Sequence, residues 1–363
     1  MQENTQKFFY LTLSNMKRFL ILAALLALVS CQRIPKVYTL EAGDLTMKVT
    51  DFGARVMSIT APDRDGNLQN IVIGHKTAKE YINPQGERFL GACVGPVANR
   101  IGDAQFELDG VVYHTPANDN GHNTLHGGFK GLDNLFWAVH ERTDSSLVFH
   151  LYYLEGIEGF CANLDIHMTY EVNSNNEFII RYNVTTDKAA PVNLTHHPFF
   201  CLRGDGKGRV EEYQMQINAS HYLPIDAESI PTGEIAPVEG TPFDFREPHL
   251  IGERIGLNDQ QLINARGYDH NWCIDKTAEG VELVCKVQDP VSGRFIEVLS
   301  DQPGLQFYSG NFFTGDLYRT SLALETQKYP DAVNHPNFTD IILRPGETYT
   351  QTCIYRFGVN STR

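Results

Sequence analysis

The chain of 363 residues sets 44 acidic against 30 basic side chains, a net charge of −14, with 42% hydrophobic and 20% charged residues. That balance describes a folded chain with a sizeable core and excludes a disordered or collagen-like one. The acidic excess, with no run of Lys or Arg, excludes nucleic acid as a partner and leaves room for a neutral ligand.

In chain order, the first element is apolar. Lys17 and Arg18 precede an uninterrupted hydrophobic stretch over residues 19–29, which has the charged and apolar regions of a secretory signal. The stretch is too short to span a bilayer, which needs ~20 residues. Leu28-Val29-Ser30-Cys31 resembles the lipobox of bacterial lipoproteins, in which the cysteine is lipidated and becomes the mature N-terminus. Residues 1–31 are therefore expected to be a signal peptide, with Met16 as its start. Residues 32–363 are expected to form one exported domain, a monomer held to a bacterial membrane through Cys31. Gln32 points to the outer membrane, and a periplasmic or surface-facing position stays open. An ordinary cleaved signal with a chance cysteine is the alternative.

From residue 37 onward the dominant period is two, the mark of strands with one buried face. Leu45, Met47 and Val49 alternate with polar neighbours, as do Leu147, Phe149, Leu151 and Tyr153. Leu164–Val172 runs into Asn173-Ser174-Asn175-Asn176 and returns from Phe178 to Val184, which predicts a hairpin. Residues 281–287 and 295–299, flanking Ser292-Gly293, predict another. Asp65-Gly66 and Asp109-Gly110 supply tight turns. Helical spacing is confined to short pieces such as 258–264. No linker composition and no repeat appears, so the expected fold is all-β, a single large antiparallel β-sandwich. Six further cysteines, at 93, 161, 201, 273, 285 and 353, lack CxxC spacing and suit small buried positions.

Polar, titratable and glycine residues gather in GPVANRI (95–101), LHGG (125–128), NLTHHPFF (193–200), GYDHN (267–271), PGLQFYSGN (303–311) and LETQ (324–327). Read singly, His126 is a satisfied loop histidine, while Glu325 could be a structural carboxylate and Asn99-Arg100 an ordinary salt-bridged loop. His196 and His197 could open a metal site with Asp269 or Glu325, but no HExxH-type spacing supports one. The turn over residues 330–336 carries no assigned chemistry.

Taken together and in order, LHGG, NLTxH, YDHN, PGLQFYSGNF and LExQxYPDAVNHPNF resemble the aldose 1-epimerase (galactose mutarotase) family, from about residue 37 to the C-terminus. The resemblance implies a large β-sandwich that interconverts α and β anomers of a free aldohexose without a cofactor. It places Asn99 and Arg100 on sugar hydroxyls, His126 near the ring oxygen, His197 as general acid and Glu325 as general base. Asp269 and Gln306 fall on positions that hold remaining hydroxyls. Pro96, Phe199 and Cys201 depart from the family's usual Arg, Tyr and Asn, and Phe199 thereby lacks a hydroxyl near the substrate.

The chemistry suits those residue types. Mutarotation takes a proton from the anomeric hydroxyl and delivers one to the ring oxygen, after which the open aldehyde rotates and recloses. A carboxylate base and an imidazole acid on opposite sides of the sugar suffice, with no metal or nucleotide. Pro198 disfavours helical backbone at His197, so the imidazole is expected on a strand end with His196 facing away. Arg100 offers forked donors and Asp269 an acceptor; Trp272 or Phe307 could stack on the sugar, though each is a natural core residue. Two other functions stay open: a non-catalytic carbohydrate-binding lipoprotein, and an epimerase for phosphorylated hexoses. The second would need more Arg or Lys than these segments contain.

Overall fold

The long period-two stretches form ladders because β-branched and aromatic side chains pack well on a pleated, half-buried surface. In a computed structural model that describes residues 33–360, three sheets dominate. The signal-like run and Cys31 lie outside the described residues. From Lys36 onward the chain is one compact unit.

The largest sheet has nine strands, all paired antiparallel. Their order is Ala138–Arg142, Ser146–Tyr153, Leu164–Val172, Glu177–Thr186, Tyr349–Val359, Arg294–Ser300, Glu282–Gln288, Gln214–Ile217 and His249–Leu250. Both predicted hairpins are present, Leu164–Val172 on Glu177–Thr186 and Glu282–Gln288 on Arg294–Ser300. Between them lies the C-terminal strand, which no local signal could place.

A five-stranded sheet runs Ala236–Pro237, His221–Tyr222, Asp269–Cys273, Gly304–Tyr308, Ala323–Gln327. It is bonded across the interior to the nine-stranded sheet: Tyr355 Oη donates to the Leu324 carbonyl (2.8 Å) and Gln351 Nε2 to that of Thr326 (2.8 Å). One contiguous core joins their apolar faces, including Phe149, Ile166, Met168 and Tyr182 from one and Trp272, Leu305 and Phe307 from the other. A four-stranded sheet, Val37–Ala42 to Leu68–Asn70, adds Leu45, Met47 and Val49 to the same core, as their alternation predicts.

Asp109-Gly110 joins Gln105–Leu108 to Val111–His114 with φ of 51° and 81°, the left-handed pair that matches strand twist. The predicted helix is Gln260–Ala265, opened by Asp259, whose carboxylate accepts from the Gln261 and Leu262 amides. All six described cysteines are buried and free.

Candidate active site

The site begins on the five-stranded sheet. Asp269 pairs with Tyr308, and Gln306 with Glu325, so strand alternation puts all four on one face. The intervening residues point into the core. Trp272 and Phe307 are therefore fully buried, with Trp272 Nε1 donating to the Phe243 carbonyl (2.9 Å), and neither reaches a ligand.

His197 ends the strand Thr195–His197, which pairs with Ala92–Val94 and is tied to Glu325's strand by Thr195 Oγ1 donating to the Thr326 carbonyl (3.1 Å). His196 faces away, as the Pro198 argument requires: Tyr170 Oη donates to the Ala54 carbonyl and accepts from His196 Nε2, both at 2.6 Å.

His126 follows the strand Thr124–Leu125, itself paired with Arg100–Ile101. It has φ of 52°, and Gly127 and Gly128 continue at 81° and 89°. A Cβ on Gly127 would stand 2.1 Å from the Gly95 carbonyl oxygen, so both conformation and space demand glycine. His126 Nδ1 accepts from the Asn99 amide (3.0 Å), while the His126 amide donates to the Asn99 carbonyl (2.9 Å). These bonds leave Nε2 as the nitrogen available to a ligand.

Asn99, Arg100, His126, His197, Asp269 and Glu325 thus line one pocket, walled by Phe89, Phe199, Tyr308 and Phe312 and edged by Glu87 and Leu125. Gln306 lies behind Asp269, donating through Nε2 to Asp269 Oδ1 (2.8 Å), with its own Oε1 buried and without a partner among the described residues. Arg100 Nε donates to Asp119 (2.8 Å), and its Nη1 stands 3.8 Å from Asp269. Of the departures from the family pattern, Phe199 stands in the wall, 4.6 Å from the His197 ring, and Cys201 is a core residue.

His197 Nε2 and Glu325 Oε1 are 3.3 Å apart, with side chains 7% and 2% exposed. The expected placement on opposite sides of a sugar is corrected here: acid and base stand side by side. The two oxygens they serve are bonded to the same carbon, so neighbouring groups reach both. Burial holds His197 down to about 3 and raises Glu325 well above the usual carboxylate range, with Asp269 nearby adding to the rise. Burial likewise keeps His126 neutral and raises Asp269, against the opposing pull of Arg100. Glu325 Oε2 is buried without a partner among the described residues. Beside the pocket, that oxygen is placed to accept from a hydroxyl donor.

The ligand atoms of His126, His197 and Glu325 lie within 4.8 Å of one another, a spacing that also admits a metal ion. The competing cleft, lined by Leu45, Pro62, Ile71, Leu202, Phe295 and Phe357, is mainly apolar, and its cation Arg294 is bonded to the Pro62, Leu202 and Asn67 carbonyls.

Residues 36–356 match the aldose 1-epimerase family. The chain belongs to that family. Rat galactose mutarotase is 37% identical over 331 residues, covering 89% of this chain and 94% of the relative. The aldose 1-epimerase of Escherichia coli K12 is 34% identical over 323 residues, covering 86% and 92%. Among solved structures, an aldose epimerase homologue from C. elegans superposes with TM-score 0.82 at 28% identity, covering 90% of this chain and 99% of that one. A galactose 1-epimerase from Lactobacillus acidophilus superposes at 0.79 and 25%, covering 91% and 96%.

Sequence reasoning missed four residues of this pocket. Tyr308 lies two residues beyond Gln306 on one strand, so period two would have found it. Glu87 and Phe89 come from a loop with no local mark, whereas Phe312 closes the PGLQFYSGNF word.

Proposed function

We propose that this pocket interconverts the α and β anomers of a free aldohexose such as glucose or galactose, with Glu325 and His197 carrying the protons. The carrying observation is the buried 3.3 Å contact between His197 Nε2 and Glu325 Oε1 beside an unpartnered Oε2. With the pair's single proton passed to His197 across that contact, Glu325 takes the proton of the C1 hydroxyl and His197 gives one to the ring oxygen as the C1–O5 bond breaks. The aldehyde turns about C1–C2. The C5 hydroxyl then adds to its other face, returning its proton to His197 while Glu325 gives its own to the new C1 oxygen. The pair ends as it began.

His126 donates from Nε2 to a ring or hydroxyl oxygen. Arg100, Asn99 and Asp269 hold the remaining hydroxyls, with Gln306 keeping Asp269 in place. Phe89, Phe199, Tyr308 and Phe312 cover the sugar's C–H surface. Arg100 is the pocket's one Lys or Arg among the described lining residues, it is already paired with Asp119, and Glu87 and Asp269 stand opposite. This favours a neutral sugar over a phosphorylated one.

Polarimetry of fresh α-D-glucose or α-D-galactose tests the reading. The protein accelerates the decay of rotation, and Glu325→Gln and His197→Asn each lose about 10²–10⁴-fold in kcat with the fold intact. Sugar binding without acceleration defeats the assignment.

Export and lipidation at Cys31 belong to the same proposal, supported by Lys17, Arg18, the apolar stretch and Leu28-Val29-Ser30-Cys31. In a bacterial host the chain is expected in the membrane fraction with a lipid-modified N-terminal Cys31, and Cys31→Ala is expected to abolish both. Unmodified protein in the soluble fraction refutes it.

A further inference from the structure

We propose a transition-metal site on the outer face of the nine-stranded sheet, formed by His150, His167 and Asp165 with His140 closing the set. It shares no residue with the sugar pocket.

Three adjacent strands at the sheet edge supply it. His150 lies directly across from His167, and Asp165 two residues before His167 shares its face. Phe149, Ile166 and Met168, of opposite parity, are buried, so these side chains face solvent. His140 arrives by another route: the register between Ala138–Arg142 and Ser146–Tyr153 jumps from Val139 to Glu141, leaving His140 as the extra residue of a bulge. A bulge re-aims a side chain. The His140 ring stands 4.5 Å from that of His150 and 5.6 Å from that of His167, and His150 and His167 stack at 4.5 Å.

One carboxylate oxygen, Asp165 Oδ1, sits 2.6 Å from His150 Nε2 and 3.5 Å from His167 Nε2. All three ligand atoms lie within 4.8 Å of one another. Three rings on a solvent face contribute little to the core, and no Lys or Arg is paired with Asp165 among the described residues. Two imidazole nitrogens and a carboxylate gathered within ligand distance, with a third imidazole ring packed against them, suit Zn²⁺, Ni²⁺ or Cu²⁺ and not Mg²⁺ or Ca²⁺, which prefer all-oxygen sets.

Equilibrium dialysis of the whole protein against Zn²⁺ and Ni²⁺ tests it, with mutarotation followed in parallel. The protein is expected to bind an ion that His150→Ala/His167→Ala loses by roughly 10-fold or more in affinity and Asp165→Asn weakens, with mutarotation unchanged in both. His197→Ala is expected to keep that ion. Three results overturn the proposal: no ion bound by the wild type, affinity unchanged in the double variant, or an ion lost only in His197→Ala, which would place it in the sugar pocket.

Discussion

His126 and His197 stand edge to face, ring centroids 5.5 Å apart, yet their surroundings give them different tasks. The Asn99 amide occupies Nδ1 of His126, so its neutral ring carries the proton on Nε2 and is a fixed donor. His197 instead faces a carboxylate across 3.3 Å, where a proton can pass either way. Mutarotation needs a pair holding a single proton. Below the plateau the pair gains a second proton, a step that burial resists by holding His197 down to about 3. Above it the pair loses its last proton, which burial resists by raising Glu325. The acid limb of the kcat/KM profile is therefore expected below about 4.3, the ordinary Glu value, because burial lowers His197, and the last proton leaves Glu325 above that value. An acid limb at the ordinary Glu value would mean that the pair is solvated during catalysis.

At the scale of elements, the turn that carried no assigned chemistry has a structural task. Asp331, with φ of 54°, accepts from the Gly102 amide through Oδ1 (3.0 Å), and its own amide donates to the Arg100 carbonyl (3.0 Å). It braces the loop that presents Arg100 to the pocket. Asp331→Ala removes the carboxylate that accepts from the Gly102 amide and Asn334 Nδ2 and pairs with His335, and leaves a residue unsuited to the left-handed region, a loss of ~1 kcal/mol or more. A drop of about 5- to 10-fold in kcat/KM is expected, mostly through KM, with Asp331→Asn recovering much of it because Asn accepts both the bond and the backbone. An unchanged KM in Asp331→Ala would show that the brace does not reach Arg100.

For the whole molecule, burial of ionisable groups couples stability to pH in two opposing ways. His196, His197 and His270 are each held to about 3, so the folded chain favours their neutral forms. Their contribution is complete above the unfolded value of about 6.5 and is lost as pH falls toward the folded one. The raised carboxyls of Glu325, Asp269 and Asp133 act oppositely, since protonation favours their folded state. His270 isolates the first effect, because burial is the cause of its shift and it belongs to the core beside Phe243. Between about pH 7.5 and about pH 5, His270→Phe is expected to lose less Tm than the wild type. An equal loss would remove His270 from the account.

The alternation of apolar residues by itself determined the class of fold and both local hairpins, because period two and turn chemistry are properties of neighbouring residues. Clustered motif words likewise exposed Asn99, Arg100, His126, His197, Asp269 and Glu325, which all come to one pocket. Tertiary structure alone decided the rest. Tyr349–Val359 enters the middle of the nine-stranded sheet, between strands more than 100 residues apart in sequence. Side-by-side placement of His197 and Glu325 depends on two short strands joined through Thr195 and Thr326. Glu87, Phe89 and Phe312 reach the pocket from loops whose sequence carries no period. Such long-range placements follow from how buried faces pack together, a property of the assembled core that no window along the chain contains.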